Sequence, residues 1–415
     1  MHTGTNLIYT KQYNLRIVLE VIRLFGPLSR AGIARRTELT VQTVSNLVKD
    51  LLAFELVYET GQRREGRGAP STAIVINPEG AFTIGLDLDR DHLTGVLVDL
   101  AGTVRQRLHV EVDFPTPVQA LDLMVATADE LIAAQGLTRK DVSGVGVGVP
   151  GLMHRAADGN GYVVSPMSFP NWHDVPLADW LQERLAIPIL LENNATAAAI
   201  GERWYGAGRQ IRTFFYLYVG SGLGGGLIVD GQPYAGFTGN AGEIGYLPTV
   251  LVGDPGGTEE TPHIGMHFRL PMLYETLRRE GIDVHTPEDL DRLLCEGHPR
   301  VLAWMEEAAD HLAGLVLAVE YLLDPEAIFF GGRLPDRVVA GLMDRVADHL
   351  TRRRISQKVG GPRHLLAAAG ADAAALGVAT LPIYESFAPA PHVLLKRGKV
   401  RASAALSGSR GNNSR

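Results

Sequence analysis

The stretch Leu191-Glu-Asn-Asn-Ala-Thr-Ala-Ala-Ala-Ile-Gly-Glu202 constrains the fold class more than any other part of the chain. Ile189 to Glu192 reads as the end of a buried strand, Asn193 and Asn194 as a two-amide corner, and the alanines beyond as a helix with a face small enough for close packing. A strand that turns directly into a helix belongs to an α/β fold, where ligands lie at the carboxyl ends of strands. Two readings of the corner follow. Asn is a good helix cap and turn residue, and amide side chains at such a corner also point into a cleft that can hold a small molecule.

At 415 residues the chain has room for two or three domains with full cores. No apolar run reaches the roughly eighteen residues that suggest a membrane span, and no leader-type segment opens the sequence, so a cytoplasmic location is expected. The lone cysteine, Cys295, excludes an intrachain disulfide framework and any multi-thiolate metal site. Charge is divided unevenly. Residues 1–80 carry ten Lys or Arg against seven Asp or Glu, whereas residues 81–385 carry 23 against 39. A basic front on an acidic body implies an anionic partner for the front alone. Residues 386–415 hold six basic and no acidic residues and read as a disordered basic tail.

Within the basic front, residues 1–80, Leu15, Val18, Leu19, Ile22 and Phe25 fall at helical spacing before Gly26-Pro27. Ser29 can cap a second helix and Thr40 a third, whose inner face carries Val44, Leu47, Val48 and Leu51. That is a helix-turn-helix. Beside Thr40, the opposite face holds Gln42, Thr43, Ser45, Asn46 and Lys49, which can bond base edges or phosphates or can equally be a solvated polar face. The following segment favours DNA. Two β-rich runs, 56–60 and 72–76, flank a basic glycine-rich loop with Arg63, Arg64 and Arg67, which completes a winged helix whose arginines can grip phosphates or enter a minor groove.

The acidic body, residues 81–385, alternates strands and helices in a pattern that repeats with variations, as expected of two α/β lobes with a cleft between them. Strands are expected at 82–88, 93–99, 104–112, 142–149, 212–219 and 227–229, with Gly220-Ser-Gly-Leu-Gly-Gly-Gly226 as a turn. Such a turn can cradle a phosphate or merely close a hairpin, and its spacing matches neither the dinucleotide fingerprint nor a Walker loop.

Five segments then carry a resemblance. Val147-Gly-Val-Pro-Gly151, Glu192-Asn193-Asn194, Val219 to Gly226, Gly242-Glu-Ile-Gly-Tyr246 and Asp324-Pro-Glu-Ala-Ile-Phe-Phe-Gly-Gly332 stand in the order of the ROK family. That family groups sugar-responsive repressors with sugar kinases of the actin-like ATPase and hexokinase fold. The resemblance spans about residues 11 to 385 and implies a winged helix-turn-helix followed by a two-lobed sugar-binding, kinase-like domain. Glu38 departs slightly, because the family often has Gly at that turn.

Three further departures argue against chemistry. The family's kinases read Glu-Asn-Asp at the corner, with the Asp as general base, and this chain has Asn194 there. An amide cannot take the proton, and loss of a general base costs about 10² to 10⁴ in rate. Where those kinases place a Gly-Gly-Thr phosphate turn, Asp87 is followed by Leu88-Asp89-Arg90-Asp91. Each carboxylate would repel a triphosphate by roughly 1 kcal/mol even at water-like screening, an effect that Arg90 offsets in part. Tyr246 replaces the His that many members use beside a Cys-rich zinc loop. His263 and His267 with Glu259 or Glu260 offer a weak substitute, so no metal is expected, and no cofactor.

The resemblance thus implies a binding pocket: Asn193 and Asn194 on adjacent ring hydroxyls, Glu243 on another pair, the Gly151 backbone closing one side, and Tyr246 stacking on a sugar face. The expected protein is a sugar-responsive repressor that binds a palindromic operator as a homodimer or higher oligomer. A pentose, polyol, amino sugar or disaccharide fits as its effector as well as a glucose-type sugar does, and no membrane partner is expected. The competing expectation is an ATP-dependent sugar kinase with a DNA-binding appendage.

Overall fold

The computed structural model describes residues 7–63, 71–156, 161–166, 169, 171–220, 222–248, 263–356 and 360–387. Arg64, Arg67, most of the loop from Gly253 to His263 and nearly all of the basic tail lie outside the described residues.

Helices α1 (Leu7–Phe25), α2 (Arg30–Thr37) and α3 (Val41–Ala53) precede the hairpin of β2 (Val57–Arg63) and β3 (Ser71–Ile76), while β1 (Leu28–Ser29) pairs with β3 to give a sheet ordered β1-β3-β2. Both expected caps form. Ser29 Oγ accepts from the Gly32 N–H and Thr40 Oγ1 from the Thr43 N–H, each at 3.1 Å. The turn between α2 and α3 passes through Glu38 at a φ of 58°. A β-carbon is disfavoured in that left-handed region, which is the physical reason a glycine suits the position. Val44, Leu47, Val48 and Leu51 face inward on Leu15, Val18 and Ile22. The two-residue β1 is too short for any periodicity to reveal.

The first lobe contains β4 (Phe82–Leu88), β5 (His92–Asp99), β6 (Val104–Glu111), α4 (Pro117–Ala134), β7 (Val142–Val149), the small hairpin β8 (Leu152–Arg155) and β9 (Tyr162–Ser165), α5 (Leu177–Leu185) and β10 (Ile189–Asn193). Helix α6 (Asn194–Tyr205) leads to the second lobe, which holds β11 (Phe214–Val219), β12 (Leu223–Val229), β13 (Gln232–Pro233), α7 (Leu270–Arg279), α8 (Pro287–Cys295), α9 (Pro299–Leu323), β14 (Ala327–Gly332), α10 (Asp336–Arg353) and β15 (Arg363–Leu366). The sheets run β6-β5-β4-β7-β10 and β13-β12-β11-β14-β15. In each, an antiparallel meander continues into two parallel strands, so the second lobe repeats the topology of the first.

The glycine run differs from its sequence reading. Gly224, Gly225 and Gly226 lie within β12, paired with Tyr218, Leu217 and Tyr216, so only its first residues form the turn. A β-carbon on Gly226 would come within 2.5 Å of the Ala199 Cβ. These glycines therefore let α6 approach the sheet, a packing need that composition alone does not distinguish from a phosphate turn.

Helix α11 (Ala373–Phe387) closes the chain's described part. It packs on β4 and β7 at Gly85 and Gly146, and on α6 at Gly201 and its own Gly377, where any β-carbon would overlap the facing backbone. Ile383, near its end, is buried in the winged-helix core together with Leu100 and Ala81. Among the described residues no helix is long and apolar enough to cross a membrane.

Candidate functional site

The corner that ends β10 faces a cavity of about 390 Å³ between the lobes, within the roughly 300 to 1,000 Å³ of small-molecule sites. Gly151, Asn193, Asn194, Glu243 and Tyr246, all expected from the sequence, line it together. Asp89, Arg90, Tyr218, His263 and Arg269 complete much of the wall.

Asn193 forms the helix cap and lines the cavity, but its side chain is engaged by the protein and not left for the ring hydroxyl expected from the sequence. Its Oδ1 accepts from the Ala195 and Thr196 N–H groups, which caps α6, while its Nδ2 donates to Glu243 Oε1 at 2.9 Å and to the Gly151 carbonyl at 3.3 Å. A side-chain amide has two donors and two lone pairs. Asn193 spends all of them on the protein and so fixes the wall of the cavity. Asn194, the first residue of α6, is buried against the cavity, and its side chain has no hydrogen-bond partner among the described residues.

Glu243 owes its place to the glycines around it. β-carbons on Gly242 and Gly245 would overlap the Gly225 and Leu223 carbonyls, so the loop lies directly on β12 and carries Glu243 to Asn193. Burial pushes the Glu243 carboxyl up to about 7. Burial does the same to Glu192, whose carboxylate accepts from the Asn193 N–H at 2.9 Å and which also stands at about 7. Two carboxyls poised near neutrality thus flank one amide. Gly151 has a φ of 85° and meets Pro166, an approach closed to larger residues. Tyr246 is partly exposed at the opening, its ring 5.6 Å from that of His263. The His263 Nδ1 lies 2.8 Å from the Gly245 carbonyl.

The hairpin between β4 and β5 holds an ion cluster that sequence reasoning missed. His92, fully buried, has Nδ1 2.6 Å from Asp91 Oδ1 and Nε2 3.7 Å from Asp87 Oδ2. Burial alone would lower its pKa, but the carboxylates of Asp87 and Asp91 on either side of the ring outweigh burial and raise it to about 9. Asp91, one of the two carboxylates expected to repel a triphosphate, is therefore engaged with an internal imidazolium. Arg269 was missed as well, because it lies in no motif and reaches the cavity only through the fold. Tyr218 also reaches the wall through the fold, and its buried hydroxyl has no hydrogen-bond partner among the described residues.

On the winged helix, Gln42, Asn46 and Lys49 form one exposed stripe of α3, as their spacing requires. The hydroxyls of Thr40 and Thr43 lie 2.8 Å apart, and Ser45 Oγ donates to the Val41 carbonyl, so these three side chains are partly engaged within the helix. Arg63 ends β2, at the edge of the described wing.

Fold and cavity together define the class: a winged helix-turn-helix module joined to a duplicated two-lobed α/β domain, with a polar cavity at the strand ends. The model of the ROK family matches residues 83–384, and the chain belongs to that family. It is similar to the xylose repressor of Bacillus spizizenii, at 30% identity over 239 residues, which cover 58% of this chain and 61% of that one. The match thus spans less than two thirds of that repressor. A solved structure of a ROK family transcriptional regulator, a homolog of the E. coli MLC protein, has a TM-score of 0.73 at 18% identity and covers 91% of this chain and 98% of its own. A glucokinase from Streptomyces griseus, solved with glucose and AMPPNP, has a TM-score of 0.60 at 24% identity, with 72% of this chain and 99% of that one covered. At these identities the two structures establish the fold.

Proposed function

We propose that the chain is a sugar-responsive transcriptional repressor, acting in the cytoplasm. Its winged helix, about residues 1–80, binds operator DNA, and the two-lobed domain, about 81–385, binds a carbohydrate or polyol effector without turning it over. The observation that carries this reading is structural continuity. The exposed stripe Gln42, Asn46 and Lys49 belongs to a domain whose core includes Ile383 of α11, and α11 packs on α6, the helix that Asn193 caps at the cavity wall. In this reading Asn194 and the free oxygen of Glu243 bond the effector hydroxyls, Tyr246 covers a ring face, and Asn193 and Gly151 hold the wall. Thr40, Thr43 and Ser45 support the recognition helix, and Arg63, Arg64 and Arg67 of the wing grip phosphates. Two-fold pairing of chains sets half-sites about 10 bp or a multiple apart on a palindromic operator. The similarity to a xylose repressor supports the functional class.

Absence of turnover is supported by an amide at the expected base position and by the Asp87–His92–Asp91 cluster in the hairpin. The test is release of operator DNA, taken from upstream of the chain's own reading frame, across a panel of pentoses, polyols, amino sugars and disaccharides, with ADP production followed in parallel. One sugar is expected to change operator affinity with no ADP formed. Operator affinity indifferent to every sugar removes the effector half of the proposal. Sugar-dependent ADP release abolished by Glu243→Gln replaces it with a kinase.

A further inference from the structure

We propose that His267, Glu307 and His311 form a binding site for a divalent transition-metal ion of the zinc type, which ties the cavity wall to α9. One ligand atom from each residue lies within 4.8 Å of the other two. The His267 Nδ1 is 3.0 Å from Glu307 Oε1, and the His267 and His311 rings lie 3.8 Å apart between centroids, tilted by 30°. Glu307 and His311 are one turn apart on α9, which is held rigid by its other face, where Met305, Ala308 and Leu312 are fully buried. The third ligand is fixed as well, since the Trp304 indole N–H donates to the His267 carbonyl at 3.1 Å.

Two imidazoles and one carboxylate are the donor set of zinc and its neighbours, not of magnesium or calcium, which favour oxygen. A histidine–glutamate surface pair needs no second imidazole at helical spacing from the same carboxylate. Glu307 is exposed, which leaves a side open for water to complete a tetrahedral shell. The neighbouring Arg300 and Arg353 do not compete, because they pair with Glu280 and Asp310. The site differs from the His263–His267 arrangement that sequence spacing offers. His263 turns the other way, to the Gly245 carbonyl, and Glu307 and His311 lie some forty residues further on. His267 belongs to the short turn Ile264–Phe268, and His263, Gly265 and Arg269 on that segment line the effector cavity. A bound ion therefore anchors that wall to the second-lobe core.

The full, tag-free chain, stripped with a chelator and dialysed, is titrated with ZnCl₂ by calorimetry and with Co²⁺ by visible absorption. One ion per chain is expected, with Co²⁺ giving the intense bands of a tetrahedral site. His311→Ala and the isosteric Glu307→Gln each weaken Zn²⁺ at least ~10-fold, the smaller end of what even supporting residues contribute to metal sites. His285→Ala, which removes an exposed histidine paired with Asp283, leaves the affinity unchanged. Equal Zn²⁺ affinity in wild type and Glu307→Gln, or no uptake by the wild type, overturns the site. Neither result bears on whether a sugar releases the operator.

Discussion

Replacing Glu243 by Gln tests whether burial at the cavity corner sets the protonation of this carboxyl. The substitution keeps an oxygen to accept from Asn193 Nδ2, so the hydrogen bond at 2.9 Å can survive while the titration is lost. In the wild type the group moves from an ordinary value of 4.5 to about 7 because burial penalises its charge. The folded state then holds the proton more tightly than the unfolded state. The associated stability is present in full below pH 4.5 and is lost as pH rises through about 7. Integrated over that displacement, the loss between pH 5 and pH 8 is about 2 to 3 kcal/mol for this one group. Glu192, also raised to about 7, and His92, raised to about 9, contribute slopes of the same sign, so the wild-type curve alone does not isolate Glu243. The difference between wild type and Glu243→Gln does. Thermal unfolding at half-unit steps from pH 5 to 8 should show the variant gaining on the wild type as pH rises, by roughly 3 to 5 °C in the transition of the two-lobed domain. Parallel curves would mean that Glu243 is already ionised at pH 5 and that solvent or an ion reaches it, which refutes the argument from burial.

Lys49→Ala should weaken operator binding by a similar factor on all sequences and lower the slope of log affinity against log salt by about 1, whereas Asn46→Ala should relax sequence preference; fluorescence anisotropy at several salt concentrations separates them. Glu202 is fully buried and accepts from the N–H groups of Ala207, Ala368 and Ala369. Glu202→Ala strands those donors at about 1 to 3 kcal/mol each, so a loss of at least ~3 kcal/mol is expected in denaturant unfolding. Ile383→Ala opens a void where α11 enters the winged-helix core, costs about 2 to 5 kcal/mol, and should reduce the ratio of operator affinities measured with and without effector. An unchanged ratio would show that α11 is not the connection.

The parts of this molecule legible in the sequence are those specified by neighbours along the chain. Ser29 and Thr40 announce their helices because a cap acts over three residues, and both bond as expected. The corner at Asn193 was recognisable because a strand, two amides and a run of alanines lie within twelve residues. What escaped were features made by distant segments. Nothing near Arg269 signals a cavity, and nothing near His267 signals Glu307 or His311, because sheet and helix packing brings them together. His92 escaped for another reason. Its charge depends on the carboxylates of Asp87 and Asp91 on either side of it, and it becomes an internal ion only once β5 is covered on both faces.

The glycines and alanines show how the two kinds of information meet. As composition they suggest phosphate turns and flexible links. In the fold, Gly85, Gly146, Gly201, Gly226 and Gly377 allow α6 and α11 to lie almost backbone to backbone on the sheets and on each other. Contacts this close leave little room for sliding, so a change in lobe angle at the cavity must move α11 nearly as a rigid piece. Ile383 then carries that movement into the core that also seats α1 and α3. An effector can use this connection only to the extent that it binds one lobe arrangement better than the other. Asn193 is placed where such a difference would arise, since one side chain holds Glu243 of the second lobe, Gly151 of the first, and the cap of the helix between them.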